Sequence, residues 1–285
     1  KLTVSQWADR NRVLSGEDSG EPGKWRTNRA EYQRGIMDAV NDPAVESVVM
    51  MTSAQVGKTQ ILNNIVGYFI DQDPAPILMM APTVELAEAW SKDRLAPMIR
   101  DTPCLVGKIA DPKSRNSGNT ILHKSFAGGT LTLVGANSPA GLAARPIRVV
   151  LADEVDRYPL SAGAEGDPVS LGRKRTTTFW NRKIVLASTP TKMGMSRIEA
   201  AYEKSDQRRF YVPCRHCGDH QTLIWSQVKW DKGKPSSAAY VCAHCGALWD
   251  DADRWGAVAR GEWRATAEFT GTAGFHLNEL YSPFR

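Results

Sequence analysis

No stretch of this 285-residue sequence is apolar for long enough to cross a membrane. The longest run, Ile77 to Ala81 with its flanks, falls well short of the roughly 18 residues that a spanning helix needs. A large excess of one charge is also missing. The 36 Lys and Arg against 31 Asp and Glu leave a net charge of +5, only a mild preference for an anionic partner. Cysteine is scarce, five residues in all, which excludes a disulfide-stapled miniprotein. Internal repeats and low-complexity tracts are lacking, and the composition excludes a collagen-like fibre and wholesale disorder. Neither a charged-then-apolar leader nor a Met opens the chain, and it stops at Pro283-Phe284-Arg285; both ends read as cuts within a longer protein. What is left is ordinary globular composition, 42% hydrophobic and 24% charged. The length predicts about two domains.

What is present begins with an alternation. From Val45 to about Ser188, short apolar runs alternate with helical stretches. Val48-Val49-Met50-Met51 reads as a buried strand, and Thr59 to Ile70 places Ile61, Leu62, Ile65, Val66 and Phe69 on one helical face. Ile77-Leu78-Met79-Met80 is a second strand, followed by a helical pattern from Val84 to Arg100 with a kink expected at Pro97. Ile121 to Phe126 and Thr130 to Val134 read as a hairpin turning at Ala127-Gly128-Gly129. Ile147 to Ala152 and Ile184 to Ala187 are two further buried strands. Continuous apolar strands between helices predict an α/β fold with a parallel sheet covered on both faces. Ser161 to Arg175, rich in glycine and charge, reads as a loop and a basic turn. After about Arg209 helical periodicity fades, and five of the nine tryptophans gather there: Trp225, Trp230, Trp249, Trp255 and Trp263. This stretch reads as a second, small module, with the tryptophans expected to pack its core.

Ser53-Ala54-Gln55-Val56-Gly57-Lys58-Thr59 follows a buried strand and opens an amphipathic helix, the setting in which a phosphate-cradling loop is expected. Backbone N–H groups converge at a helix N-terminus, and the helix dipole favours negative charge there. Lys58 would reach the β- and γ-phosphates, and the Thr59 hydroxyl would ligate Mg²⁺. Thr52 stands where such a loop usually begins with glycine, so its opening turn is expected to differ from the common form. Downstream, Ile147 to Ala152 runs into Asp153-Glu154, a carboxylate pair at the ligand-binding end of a strand. Asp153 would complete the Mg²⁺ shell, and Glu154 would orient or deprotonate the attacking water. The extra acid separates an ATP hydrolyser from a GTPase-type switch. Ser188-Thr189-Pro190 ends another strand, either sensing the γ-phosphate or simply terminating the strand.

Four cysteines form two pairs, Cys214/Cys217 and Cys242/Cys245, with 24 residues between the pairs, while Cys104 stands alone. In each pair the second Cys is followed by glycine, Gly218 or Gly246, as a tight knuckle requires. Four thiolates at this spacing predict a closed structural Zn²⁺ site, with His216 and His244 pointing outward. Arg208, Arg209, Trp225, Lys229 and Trp230 surround it and are candidates for contact with DNA.

With these residues in hand the sequence resembles the ATPase part of phage terminase large subunits, most closely the gpA-type, lambda-like branch. The matching pieces run nearly end to end: Leu2 to Ala8, Glu31-Tyr32-Gln33-Arg34, Ser53 to Thr59, Ala81-Pro82-Thr83, Leu151 to Asp156, Ala187 to Thr191, and Val212 to Gly218. The resemblance implies a P-loop ATPase of the ASCE type, with a mainly parallel sheet flanked by helices and a small zinc-ribbon-like module. It implies a motor that hydrolyses ATP to drive double-stranded DNA into a procapsid in the cytoplasm of an infected bacterium. The partners that follow are the terminase small subunit, the portal, and other copies of the chain in a ring. Gln33 falls where such motors recognise the adenine edge, with Trp25 a candidate stacking neighbour, and Ser188 and Thr189 fall on the coupling motif. The implied division is 1–44 as an N-terminal segment with the adenine region, 45–209 as the ATPase core, and 210–285 as the zinc module and the start of a linker. The nuclease domain would lie beyond, so no DNA-cutting site is expected in this chain. Some relatives carry Arg inside the phosphate loop where Ala54 and Gln55 stand here, so the transition-state cation is expected from Arg145 or Arg148, acting in trans. A helicase-like ATPase, or a zinc-ribbon adaptor with a degenerate nucleotide fold, remain rival readings.

Overall fold

The computed structural model describes residues 1–17, 19–109, 119–138, 141 and 145–284. The chain opens with α1 (Val4–Asn11), started by a reciprocal cap in which Thr3 Oγ1 accepts from the Gln6 amide and Gln6 Oε1 accepts from the Thr3 amide. Two short strands, β1 (Val13–Leu14) and β2 (Gly23–Lys24), pair with each other, and α2 (Tyr32–Ala39) leads into the main sheet. That sheet contains β3 (Ser47–Thr52), β4 (Pro76–Ala81), β5 (His123–Phe126), β6 (Gly129–Gly135), β7 (Val149–Asp153), β8 (Lys183–Ser188), β9 (Arg208–Pro213), β10 (His220–Gln221), β14 (Glu262–Arg264) and β15 (Thr272–Leu277). Its order is β10-β9-β15-β3-β8-β7-β4-β6-β5, with β14 also on β9. From β9 to β6 every neighbouring pair is parallel; β5, β10 and β14 add antiparallel edges. The fold is mixed α/β with a large, mainly parallel sheet.

Side-chain alternation explains why the middles of the central strands are apolar on both faces. Val48 and Met50 of β3, Val149 and Leu151 of β7, and Val185 and Ala187 of β8 enter one buried cluster. Their neighbours Val49, Met51, Val150, Ala152, Ile184 and Leu186 enter a second cluster on the other face. The first face is covered by α1, α2 and α3 (Lys58–Asp71), and the contacts between them are close. Trp7 is fully buried and its Nε1 donates to Asp71 Oδ2 at 2.9 Å. Gly67 makes room for that ring, because a Cβ there would lie 2.2 Å from Trp7 Cη2. Truncating Trp7 to Ala would cost about 3–5 kcal/mol.

Pro97 interrupts the helix expected from Val84 to Arg100 more deeply than a kink. The chain forms α4 (Val84–Trp90), a wide π-turn over Ser91–Leu95, and α5 (Ala96–Asp101), with Pro97 in the first turn of α5. Proline has no N–H to donate back to residue 93, so the preceding turn widens instead. The loop expected over Ser161 to Arg175 contains a helix, α6 (Pro168–Lys174), begun by Asp167, whose carboxylate accepts from the Ser170 amide at 2.8 Å, and by proline in the first turn.

The sheet runs on through the expected boundary at 209/210. After α7 (Arg197–Glu203), β9 and β15 extend the sheet beyond β3, with Ala273 opposite Val48 and Phe275 opposite Met50. Phe210, Trp249, Phe275 and Tyr281 share the first cluster with Val48 and Ile61. From this joint surface projects a three-stranded sheet, β11 (Val228–Asp231), β12 (Lys234–Val241) and β13 (Leu248–Trp249), followed by α8 (Asp251–Val258). Trp249 is buried as expected of a core residue, but Trp225 and Trp230 are 67% and 53% exposed, their rings tilted against each other 6.4 Å apart. Among the described residues no helix is long and apolar enough to cross a membrane.

Candidate functional site

Three adjacent strands, β3, β8 and β7, end side by side and set the site. Thr52 is still strand, fully within β3, so the residue that departs from the expected glycine needs no left-handed backbone. The turn comes later, at Gln55 with φ +62° and Gly57 with φ +86°, and α3 begins at Lys58. Gly57 is required twice over: its backbone is left-handed, and a Cβ would lie 2.3 Å from Gln33 Nε2. Gln33 is buried and its Nε2 donates to the Val56 carbonyl at 3.0 Å, a carbonyl that also accepts from the Tyr32 hydroxyl at 3.1 Å. From the far end of the sequence, Ser282 Oγ donates to the Gln55 carbonyl at 2.7 Å.

Lys58 Nζ donates to Thr189 Oγ1 at 2.8 Å and to the Ser53 carbonyl at 3.2 Å, and lies 3.7 Å from Glu154 Oε1. Burial lowers its pKa, while the carboxylates of Glu154 and Asp153 oppose that shift. Asp153 closes β7 with its Oδ1 buried and without a hydrogen-bond partner. Burial, and then the neighbouring Glu154 charge, push the Asp153 carboxyl up to about 6. Glu154 turns the chain with φ +52°, a left-handed conformation that aims its carboxylate between Lys58 and Arg157, whose Nε is 3.8 Å from Glu154 Oε2.

Ser188 is fully buried at the end of β8, accepting from the Asp156 amide at 3.2 Å and donating to the Thr189 carbonyl at 3.1 Å. Asp156 in turn accepts from the Thr191 amide and hydroxyl at 3.0 and 3.1 Å and from the Ile198 amide at 2.8 Å. One carboxylate therefore ties the turn after Glu154 to the segment after Thr189 and to the start of α7.

A cleft of about 1260 Å³ opens in front of these groups, lined by Ala54, Gln55, Gly57, Lys58, Thr59 and Gln33 on one side and by Glu154 and Thr189 on another. Lys24, Arg26, Arg29, Arg94 and Arg157 make its wall electropositive. Trp25 also lines it, though its ring is buried and its Nε1 donates to Thr27 Oγ1 at 2.9 Å. Neither Arg145 nor Arg148 lines this protomer's cleft, so a cation from either would have to reach the cleft of a neighbouring subunit, as the in-trans expectation has it. Arg148 precedes β7 at the end opposite Asp153, roughly 17 Å away along the strand. It pairs with Asp73 at 2.6 Å beside the Phe69 ring, a partly buried structural bridge. Arg145 is exposed beside His123. Arg157, which the sequence reading did not single out, does line the cleft. Its signal was its place three residues after Glu154, which a tight turn over Val155–Arg157 brings back to the same carboxylate.

The four paired cysteines converge. Cys214 Sγ lies 3.8 Å from Cys245 Sγ, Cys217 Sγ lies 3.9 Å from Cys242 Sγ, and all four sulfurs fall within 4.8 Å of one another, a set that could hold a metal ion. The two turns are built alike: the Gly218 amide donates to the Cys214 carbonyl at 2.9 Å, and the Gly246 amide to the Cys242 carbonyl at 3.1 Å. His216 and His244 are exposed and outside the cluster.

Residues 19–263 match the family model described as phage terminase large subunit gpA, ATPase domain. The chain is 32% identical over 308 residues to the terminase large subunit of Enterobacteria phage P21, covering 99% of this chain and 48% of that protein. It is also 32% identical over 250 residues to the terminase large subunit of Escherichia phage lambda, covering 85% of this chain and 39% of that protein. The chain thus spans about half, or less, of the length of these curated relatives. Its fold is similar to the crystal structure of the HK97 bacteriophage large terminase, with a TM-score of 0.54 over 70% of this chain and 40% of that one, at 14% identity.

Proposed function

Because the chain belongs to the family of phage terminase large subunit gpA ATPase domains, we propose that it is the ATP-hydrolysing motor that translocates double-stranded viral DNA into a procapsid. The observation that carries this reading is the convergence of Lys58, Thr189 and Glu154 on one electropositive cleft at the start of α3. The loop from Ser53 to Thr59 is the phosphate loop of a P-loop fold, and β8 lies between β3 and β7, which separates the loop strand from the acidic strand by one position. Lys58 exchanges its contacts with Thr189 and Ser53 for the β- and γ-phosphates of ATP. Thr59 and Asp153 would hold Mg²⁺, a role supported by the buried, unpartnered Asp153 Oδ1. When bound, the ion supplies charge neutralisation along the phosphates.

Glu154, fixed by its left-handed backbone and by Lys58 and Arg157, orients the attacking water and accepts its proton. Arg157 is placed to stabilise the charge that develops on the transferred phosphoryl group. Gln33 reads the edge of the adenine. Ser188 and Thr189 couple the reaction to motion, because Thr189 contacts Lys58 directly and Ser188 is joined through Asp156 to residues 191–198.

The cysteine set fits Zn²⁺ in a closed structural site. Tetrahedral thiolates at about 2.3 Å from the ion lie about 3.8 Å from one another, which the sulfur spacing matches. The remaining parts of the reading follow from the family: an oligomeric ring, contact with the small subunit and the portal, and action in the cytoplasm of the infected bacterium.

The test is Mg²⁺-dependent phosphate release by the purified protein, with Lys58→Ala as the control, followed by DNA packaging with the full-length protein. Release by the wild type that Lys58→Ala abolishes is the expected result. No release in any oligomeric state would favour a zinc-ribbon adaptor with a degenerate nucleotide fold.

A further inference from the structure

Phe284 belongs to none of the groups used so far, yet it lines the same cleft as Gln33, Gly57 and Lys58. Its ring is 40% exposed, an open aromatic face at a site where apolar side chains are otherwise few. The ring edge, Cε2, comes within 4.0 Å of where a Gly57 Cβ would be, and Gln33 Nε2 lies 2.3 Å from that same point. An amide that could read the edge of a base and an aromatic ring that could hold its face therefore flank one spot beside the phosphate loop.

The ring is held by two independent sets of contacts. Arg29 stacks its guanidinium 5.4 Å from the ring centroid and donates Nη2 to the Pro283 carbonyl at 2.9 Å. Arg29 is itself gripped by both carboxylate oxygens of Glu21, at 3.1 and 2.8 Å. On the other side, Ser282 Oγ donates to the Gln55 carbonyl at 2.7 Å and accepts from the Phe284 amide at 3.3 Å. The segment that carries the ring is thus pinned to the phosphate loop and to the wall opposite it.

We infer that Phe284, backed by Arg29, is the platform on which the purine base of the bound nucleotide stacks. The inference rests on the nucleotide reading of the cleft. A π-face stacks with either purine, so the platform supplies affinity while discrimination between bases falls to Gln33. Trp25, the stacking candidate from sequence, has its ring buried and its Nε1 on Thr27 Oγ1, whereas Phe284 is 40% exposed.

The experiment is calorimetric titration of the Mg²⁺-loaded protein with ATP and, separately, with inorganic triphosphate, which has the phosphates but no base. Phe284→Ala is expected to weaken ATP binding roughly tenfold, equivalent to about 1.4 kcal/mol, and to leave triphosphate binding at the wild-type value. Phe284→Tyr restores ATP affinity, whereas Phe284→Leu, which keeps apolar bulk without a π-face, does not. ATP binding unchanged in Phe284→Ala, an equal loss for triphosphate, or full rescue by Leu would each overturn the platform. Wild-type protein that binds triphosphate but gains nothing from the base would overturn the platform and leave the phosphate site standing. Wild-type protein that binds neither would overturn both.

Discussion

The two chemical sites solve one backbone problem differently. In the turns that carry the cysteines, the left-handed residue is glycine: Gly218 at φ +79° and Gly246 at φ +74°. At the cleft, left-handed positions are also taken by Gln55 at φ +62° and Glu154 at φ +52°. A side chain in that conformation costs roughly 1–2 kcal/mol. The cysteine turns carry no such strain and close on themselves through Cys214–Gly218 and Cys242–Gly246 hydrogen bonds. The cleft accepts it where a functional side chain must be aimed, and distant segments hold it in place: Ser282 on Gln55, and Lys58 and Arg157 on Glu154. One site is local and relaxed, the other assembled across the fold and strained. Stability is the business of the first, and geometry that of the second.

This contrast can be broken by experiment. Glu154→Gln should lower kcat by roughly 10²–10⁴ in a phosphate-release assay while leaving the protein's metal content as it was. A turnover close to wild type would remove Glu154 from the chemistry. Next in size, Arg157→Ala should reduce kcat by about 10³ and leave nucleotide binding in place, read by single-turnover kinetics beside titration calorimetry. Should Arg148→Ala instead cause the catalytic loss without loss of melting temperature, the cation belongs to the far end of β7 after all.

The cysteine site is expected to respond in stability. Cys242→Ser, or strong chelation, should release the metal and cost about 3–4 kcal/mol in denaturant titration, if the ion is held at 100–1,000 times its dissociation constant. Nucleotide binding should persist, because the side-chain contacts of Lys58, Gln33, Glu154 and Thr189 are made within the cleft and not with the cysteine turns. Loss of nucleotide binding on chelation would show that the two sites are not independent. The smallest and sharpest comparison is a pair of exchanges: Gln55→Gly should stabilise by about 1 kcal/mol, and Gly218→Ala should destabilise by a similar amount, in the same denaturant titration. Equal signs would contradict the division of strain between the two sites.

The difference also explains what could be read from the sequence. Chemistry carried by neighbours in the chain was legible: Gly57-Lys58-Thr59 at the start of a helix, Asp153-Glu154 at the end of a strand, and the cysteine pairs with their glycines all lie where their patterns imply. The central strands were equally clear, because a strand buried on both faces is apolar at every position. Contacts between distant residues were not legible. Arg148 looked available because its partner Asp73 lies on another segment, and Phe284 gave no sign of reaching Gly57. Arg157 was hidden by the tightness of the turn that returns it to Glu154. The run Thr272–Leu277 mixes Thr, Gly and His with apolar residues in a region of weak periodicity, so it did not read as a strand of the main sheet. Trp225 and Trp230 were expected inside on hydrophobicity alone, and nothing in their spacing told which face they would take.

The insertion of β15 between β3 and β9 has a consequence for biogenesis. β3 is made long before β15, yet they are neighbours in register from Ser47–Thr272 to Thr52–Leu277. A nascent chain can lay β8, then β7 and β4, on one side of β3 long before its other flank is satisfied, and until then β3 offers an unpaired, mostly apolar edge to any strand nearby. Ribosome-stalled or truncated chains that stop short of Thr272 should therefore clump with one another or recruit chaperones, whereas chains that extend past Leu277 should not.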